Sequence, residues 1–345
     1  GNGTDGIVGE TRIYTFGYIY DEQGRLDKGQ IIGDDAEVYH FKDALGNDIS
    51  NSKNVRITPL SAKLIWQDVK NLISQVAFNA TTNRVEFLSN GAGNGVIAVY
   101  DKSDPNAEDA NVLWSWHVWC TEKPDIIELG LPTNGETYSG KNYKIMDRDL
   151  GATTTIPDIL TTCGLGYQWG RKDPFPSAEN WTQKEKTLYT ENSVTNVRFK
   201  VAEVENLVES VREPLTYITN ERSWGDWYTN SVSLMNYSLW LPNNKTIFDP
   251  CPIGWRVPPD NQPWKGLQAG STESTQGIIH PEAGYYPRSD KRLPQDGRLI
   301  SGLSHWASVA SVNSVYPLGG YGYGLGQEWQ PFWRADGRSI RCVKE

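Results

Sequence analysis

Residues 10–122 carry short apolar and alternating runs that read as β throughout. The run Thr11-Arg12-Ile13-Tyr14-Thr15-Phe16-Gly17-Tyr18-Ile19-Tyr20 alternates, as does Val55-Arg56-Ile57-Thr58. Arg84-Val85-Glu86-Phe87-Leu88, Gly95-Val96-Ile97-Ala98-Val99-Tyr100 and Val112-Leu113-Trp114-Ser115-Trp116-His117-Val118-Trp119 follow. Successive side chains of a strand point to opposite faces, so each run predicts a strand. Glycine, Asn and Asp clusters such as Asp21-Glu22-Gln23-Gly24 and Ser89-Asn90-Gly91-Ala92-Gly93-Asn94-Gly95 punctuate them. Short strands at regular turn spacing predict an antiparallel sandwich. In the last run Trp114, Trp116 and Val118 share one face, and Leu113, Ser115, His117 and Trp119 the other. One face is apolar and the other mixed, the pattern of a sandwich edge that meets a neighbouring domain.

After Pro124 the pattern changes. A chain of 345 residues is too long for one core, and we expect two domains, 1–124 and 125–345. The second is expected to be α+β, giving a multidomain fold that begins all-β. Val201, Val204, Leu207, Val208 and Val211 fall on one face within residues 200–212, and Pro214 stops the helix they predict. That helix lies in an insertion at about 176–245. A shorter helix is expected after Pro263, where Trp264 and Leu267 are spaced i, i+3. Two strand-like runs close the chain, Trp255-Arg256-Val257 and Ser339-Ile340-Arg341-Cys342-Val343.

The net charge is −9. With no basic field to attract phosphate, nucleic acid is not an expected partner. No apolar run approaches the roughly 18 residues that a spanning helix needs. The opening Gly1-Asn2-Gly3-Thr4-Asp5 reads as a mature or trimmed start from which an export signal has been removed. Fourteen Trp and 17 Tyr stand against two Met and eight Phe. Tyr and Trp carry a polar handle and suit half-wet surfaces as well as cores. Four cysteines fit an extracellular protein with one or two bridges and equally a cytosolic one with buried thiols.

Four motifs occur in order: Tyr143-Lys144-Ile145-Met146-Asp147-Arg148-Asp149-Leu150-Gly151-Ala152-Thr153, then Gly164-Leu165-Gly166-Tyr167-Gln168-Trp169-Gly170-Arg171-Lys172-Asp173-Pro174-Phe175, then Cys251-Pro252-Ile253-Gly254-Trp255-Arg256-Val257-Pro258, then Arg341-Cys342-Val343. Together they resemble the major-paralogous variety of C-type-lectin-like domain. Gly95-Val96-Ile97-Ala98-Val99-Tyr100-Asp101 followed by Trp114-Ser115-Trp116-His117 is similar to the end of the β-sandwich that precedes such domains in fimbrillin-type pilus and pilus-tip proteins. The resemblance implies a non-enzymatic adhesion protein of the cell surface, outer membrane or fimbrium, exported as a lipoprotein. It implies partnership with pilus subunits by strand exchange, and a surface glycan or protein as receptor. Ending at the lectin-like domain, the chain is expected to take a terminal or accessory place. A surface glycan-binding module is the alternative, and a formylglycine-generating-like oxidase a further one. The resemblance also implies that the Trp255 and 340–343 strands pair and that Cys251 and Cys342 are bridged. Closing so long a loop is worth on the order of 4–5 kcal/mol. A second bridge, Cys120 to Cys163, would lock the domain orientation; two unrelated buried thiols is the competing reading.

Chemistry is thin elsewhere. His40, His117, His280 and His305 have no partner at ligand spacing, and no His-Glu-x-x-His, Gly-x-Ser-x-Gly or Walker loop occurs. We expect no catalytic residue, metal or cofactor, with His117 a satisfied interface histidine. The acidic run 101–109 lacks the central Gly and terminal Glu of an EF-hand loop and reads as a solvated hairpin tip. Gln330-Pro331-Phe332-Trp333 lacks the carboxylates on which calcium-binding lectins depend. An oxidase would need a reactive cysteine pair or a histidine set near the C-terminus, where only Cys342 lies. Aromatics remain. Tyr285, Tyr286, Tyr321, Tyr323, Trp329 and Trp333 sit among Gly and Pro. Glycine lets a backbone approach a ligand and exposes neighbouring rings, so these six are the candidate ligand contacts; packing of a loop core is the other reading.

Overall fold

The alternating stretch folds into strands β1 (Ile13–Thr15), β2 (Ser61–Gln67), β3 (Ile73–Asn79), β4 (Arg84–Ser89), β5 (Gly93–Tyr100) and β6 (Val112–Cys120). Next come β7 (Ile126–Glu128), β8 (Lys144–Met146) and β9 (Tyr167–Gln168). The expected insertion holds β10 (Leu188–Tyr189), β11 (Val194–Thr195), β12 (Arg198–Val201) and β13 (Thr216–Thr219). The remainder holds β14 (Trp255–Arg256), β15 (His305–Ala310), β16 (Gly319–Tyr323), β17 (Trp329–Trp333), β18 (Gly337–Arg338) and β19 (Val343–Lys344). The structure, a computed structural model, describes residues 13–15, 59–81, 84–128, 143–156, 160–176, 186–201, 207, 212–219, 226–229, 235, 237, 239–243, 245–246, 248–252, 254–260, 305–310, 319–323 and 329–345. Among these the fold is mostly β-strand in several sheets, with a 3-10 turn at Leu160–Thr162 and little other helix.

The largest sheet runs β1-β6-β5-β2-β10-β11, antiparallel throughout. Along β2 burial alternates, with Ala62, Leu64 and Trp66 inward, as the period-two pattern requires. β5 is buried along its whole length and β6 nearly so. Hairpin β3–β4 adds Ile73 and Val85 to the same apolar cluster, with Val76, Phe78 and Phe87 packed against it. At Gly95 an added Cβ would collide with Ile73 Cδ1 and lie 2.9 Å from the Trp66 carbonyl oxygen, so glycine is what lets β5 run this close to β2.

The mixed face of β6 is spent on the later part of the chain. Ser115 Oγ donates to Asp173 (2.6 Å), Trp119 Nε1 donates to the Ala152 carbonyl (3.0 Å), and His117 bonds Tyr167 (3.1 Å). Trp114 meets Phe248 edge to face at 5.5 Å. One hydrophobic cluster therefore contains Trp66, Trp116 and Val118 together with Leu165, Trp169, Trp240 and Cys342. The expected insertion joins the same sheet, because Tyr189 of β10 pairs with Gln67 of β2.

A second sheet, β14-β19-β8-β7, carries the closing motifs. Arg256 lies opposite Val343, and Val343 opposite Ile145. The terminal run enters the sheet at Val343–Lys344, later than the expected start at Ile340. Residues 340 and 342 are tied earlier by backbone bonds from Leu150 N to Ile340 O (2.8 Å) and Met146 N to Cys342 O (3.1 Å). Cys251 and Cys342 form the expected disulfide, 91 residues apart in sequence with Cα atoms 5.9 Å apart.

Two expectations are corrected. Cys120 and Cys163 are not bridged; both are buried free thiols. They sit in different surroundings, Cys120 beside Asp68 and Ser89 and Cys163 beside Asp149, and burial followed by the neighbouring carboxylate pushes each thiol up to about 12. Neither should react with a thiol reagent in the folded protein, and both should titrate once it is unfolded without reductant. Titration of none after unfolding would show that they are bridged. The helix expected over 200–212 does not begin at Lys200: Lys200 and Val201 belong to β12, which pairs in parallel with β13. Backbone pairing in register with Ile218 and Thr219 outweighs the helical spacing of the valines there. Leu207 is helical and buried; the rest of that run, Val55-Arg56-Ile57-Thr58 and the turn after Pro263 lie outside the described residues.

Candidate functional site

Four of the six candidate contact residues fall in one antiparallel sheet, β15-β16-β17. Tyr321 pairs with Pro331, Tyr323 with Trp329, and Gly319 with Trp333. Directly opposed residues share a face, as do residues two apart. Tyr321, Tyr323, Trp329 and Trp333 thus occupy register positions on one face. Gly320 and Gly322 leave the other face of the central strand bare. Tyr321 and Tyr323 therefore stand in a strand, where their Gly-rich surroundings suggest a loop. β15 links the sheet to the closing motif: His305 pairs with Tyr323 and bridges Ser339 in parallel, and Ser308 N donates to the Pro258 carbonyl (2.8 Å). His305 is fully buried with Nε2 2.9 Å from Asp149 Oδ2, while Arg341 Nε donates to Asp149 Oδ1 at 2.6 Å. Tyr285 and Tyr286 lie outside the described residues.

The motif charges are inside the molecule. Arg171 donates to Gln168 Oε1 and to the carbonyls of Thr216 and Glu213, and lies 4.8 Å from the Phe175 ring centre. Desolvation lowers this guanidinium to about 10, and only the bonds it makes keep so buried a cation affordable. Arg334 is clamped between Trp169 and Tyr237, 4.2 Å from each ring centre, and bonds Asp226 at 3.2 Å. Asp226 is raised to about 6 by burial, against the lowering pull of Arg334. Lys172 contacts Ser115 and Asp173 at the junction with β6. Charges placed this way organise a core and do not face solvent.

A second polar cluster crosses from the first sheet into the later motifs. Asp68, just past β2, accepts from Asn94 N on Oδ1 (2.6 Å) and from Asn94 Nδ2 on Oδ2 (2.9 Å). The same Oδ2 lies 3.3 Å from Lys186 Nζ, just before β10. Asn94 Nδ2 also donates to the Gly151 carbonyl (2.9 Å). Both its neighbours must be glycine: a Cβ at Gly93 would lie 2.7 Å from Asp68 Oδ1, and Gly95 is closed by Ile73. With Nδ2 donating twice to oxygens, Asn94 Oδ1 is the acceptor facing His117 Nε2 at 3.0 Å. The proton of His117 is therefore on Nε2, and Nδ1 accepts from the Tyr167 hydroxyl. Burial lowers the imidazole to about 3, which keeps it neutral. His117 is a buried histidine satisfied on both ring nitrogens. Asp68, Asn94 and Lys186 were not among the candidates; the Gly93-Asn94-Gly95 triplet, one polar residue between two glycines inside a strand, is a signal for Asn94, and nothing local singles out Asp68 or Lys186.

No protein-family model, curated protein or solved structure matches the chain.

Proposed function

We propose that this chain is a non-enzymatic surface protein that works in adhesion or as a pilus-associated component, built as a β-sandwich over 1–124 and a lectin-like domain over 125–345. The observation that carries the reading is the closure of the second part. The Cys251 motif strand and the terminal strand pair in one sheet and are bridged 91 residues apart, as the lectin-like motifs imply, and such bridges persist in oxidising, extracytoplasmic compartments. The buried, paired state of the motif charges supports a scaffold over an enzyme. Co-purification with pilus shaft subunits from the outer membrane is the test; recovery of the chain with none of them would remove the pilus-associated reading.

Glycan binding is a second reading, favoured by the Tyr/Gly alternation of β16 opposite Trp329 and Trp333. Rings in such positions stack on sugars. Tyr321→Ala combined with Tyr323→Ala is expected to abolish adhesion, or retention on a glycan array, with the thermal midpoint nearly unchanged. Unfolding of the double variant would return the rings to the core, and a stable variant with full adhesion would remove this surface from consideration.

A further inference from the structure

Asn94 stands on β5, Asp68 directly follows β2 and Lys186 precedes β10 by two residues, at three neighbouring strands of one sheet, and we propose that they form a self-generated amide cross-link between Lys186 Nζ and Asn94 Cγ, with Asp68 as the proton carrier. The strand order β5-β2-β10 places Asp68 between the other two. Its Oδ2 is shared by the amine, at 3.3 Å, and by the amide nitrogen that would leave, at 2.9 Å. Asn94 and Asp68 are buried, while the Lys186 side chain is 30% exposed and reaches in from the rim.

The electrophile is prepared on its other side. His117 Nε2–H points at Asn94 Oδ1, where negative charge would develop during attack on Cγ. Tyr167, bonded to Nδ1, holds the imidazole in the tautomer that donates there. Preorganised donors at a developing oxyanion in a water-poor site are the usual source of such acceleration. Proximity supplies the rest, because all the groups belong to one folded chain.

The step balances without an added reagent. The Lys186 ammonium gives one proton to Asp68, and the freed amine attacks Asn94 Cγ. Asp68 returns that proton to Nδ2, the Cγ–Nδ2 bond breaks, and the nitrogen leaves as ammonia. The second proton lost from Nζ accompanies it as ammonium. One C–N bond forms, one breaks, and nothing is oxidised. The product ties β5 to the segment entering β10, across β2.

The experiment is intact mass spectrometry of the folded, reduced full chain, followed by tryptic mapping. The expected mass is below the sequence mass by one ammonia, with no cleavage after Lys186 and one peptide in which the Asn94 and Lys186 segments are joined. Lys186→Met, a change at a partly exposed side chain, should restore the full mass in a folded protein, and Asp68→Ala should do the same. Asn94→Asp should lose water in place of ammonia and give the wild-type product mass. Asn94 precedes Gly95, so a succinimide would also expel ammonia; that loss would persist in Lys186→Met, yield no joined peptide, and overturn the proposal. A folded wild-type chain at its full sequence mass would overturn it equally.

Discussion

Reduction of the Cys251–Cys342 bridge is expected to lower the stability of the second sheet by about 4–5 kcal/mol. The bridge closes a loop of 91 residues, so most of its contribution lies in the states it denies to the unfolded chain. Without it β19 is held by short backbone pairings to β14 and β8. Equilibrium unfolding in denaturant, with and without reductant and beside a Cys251→Ser, Cys342→Ser variant, checks this. A midpoint that moves in neither case would mean that the unfolded chain is already compact around these strands, or that the strands hold unaided.

Acid is expected to destabilise the fold through His117. Its folded value is about 3 against an unfolded 6.5. Above pH 6.5 the imidazole is neutral in both states and costs nothing. Between 6.5 and 3 the unfolded chain takes up a proton that the folded chain refuses, so stability falls as pH falls, by roughly 5 kcal/mol in all at 1.4 kcal/mol per unit. Asp226 works the other way. Its folded value of about 6 lies above the unfolded 3.8, so between those values the folded chain holds a proton the unfolded chain lacks, a gain on acidification of roughly 3 kcal/mol. Histidine wins. His117→Gln should remove the loss between pH 6.5 and 3 and leave the opposing Asp226 slope visible in denaturant midpoints measured over that range. Parallel pH profiles for the two proteins would show that the imidazole is charged in the fold.

Strand β4 is legible in the sequence because half-burial imposes alternation, and Val85 and Phe87 display it directly, whereas β2 and β3 fall between the runs that the pattern singles out. β5 and β6 are legible too, and the mixed face of β6 announces a covering neighbour, but which residues satisfy Ser115, His117 and Asn94 is not, since Asp173, Tyr167 and Asp68 come from other parts of the chain. The disulfide follows from the closing motifs. The parallel β12–β13 pair does not, because Val201 and Leu207 also fit one face of a helix and nothing local tells the two apart. Among the aromatics, spacing shows a Tyr/Gly alternation, yet glycine there suggests a loop; only pairing with β15 and β17 makes it a strand. The Lys186–Asp68–Asn94 grouping is illegible for the same reason as most constellations: its members are held together by sheet order, which a linear pattern does not carry.

The pairing of β10 with β2 has a consequence for synthesis. When the ribosome has produced β2 and β5, the partner that the described residues show on the outer edge of β2, Tyr189 opposite Gln67, has yet to emerge roughly 90 residues further on, and long-range pairing of this kind is slow to form. An unpaired edge in a nascent chain is a template for wrong partners. The early sheet therefore ripens only when the middle of the chain returns to it, and holdase chaperones that cover strand edges should matter most in that interval.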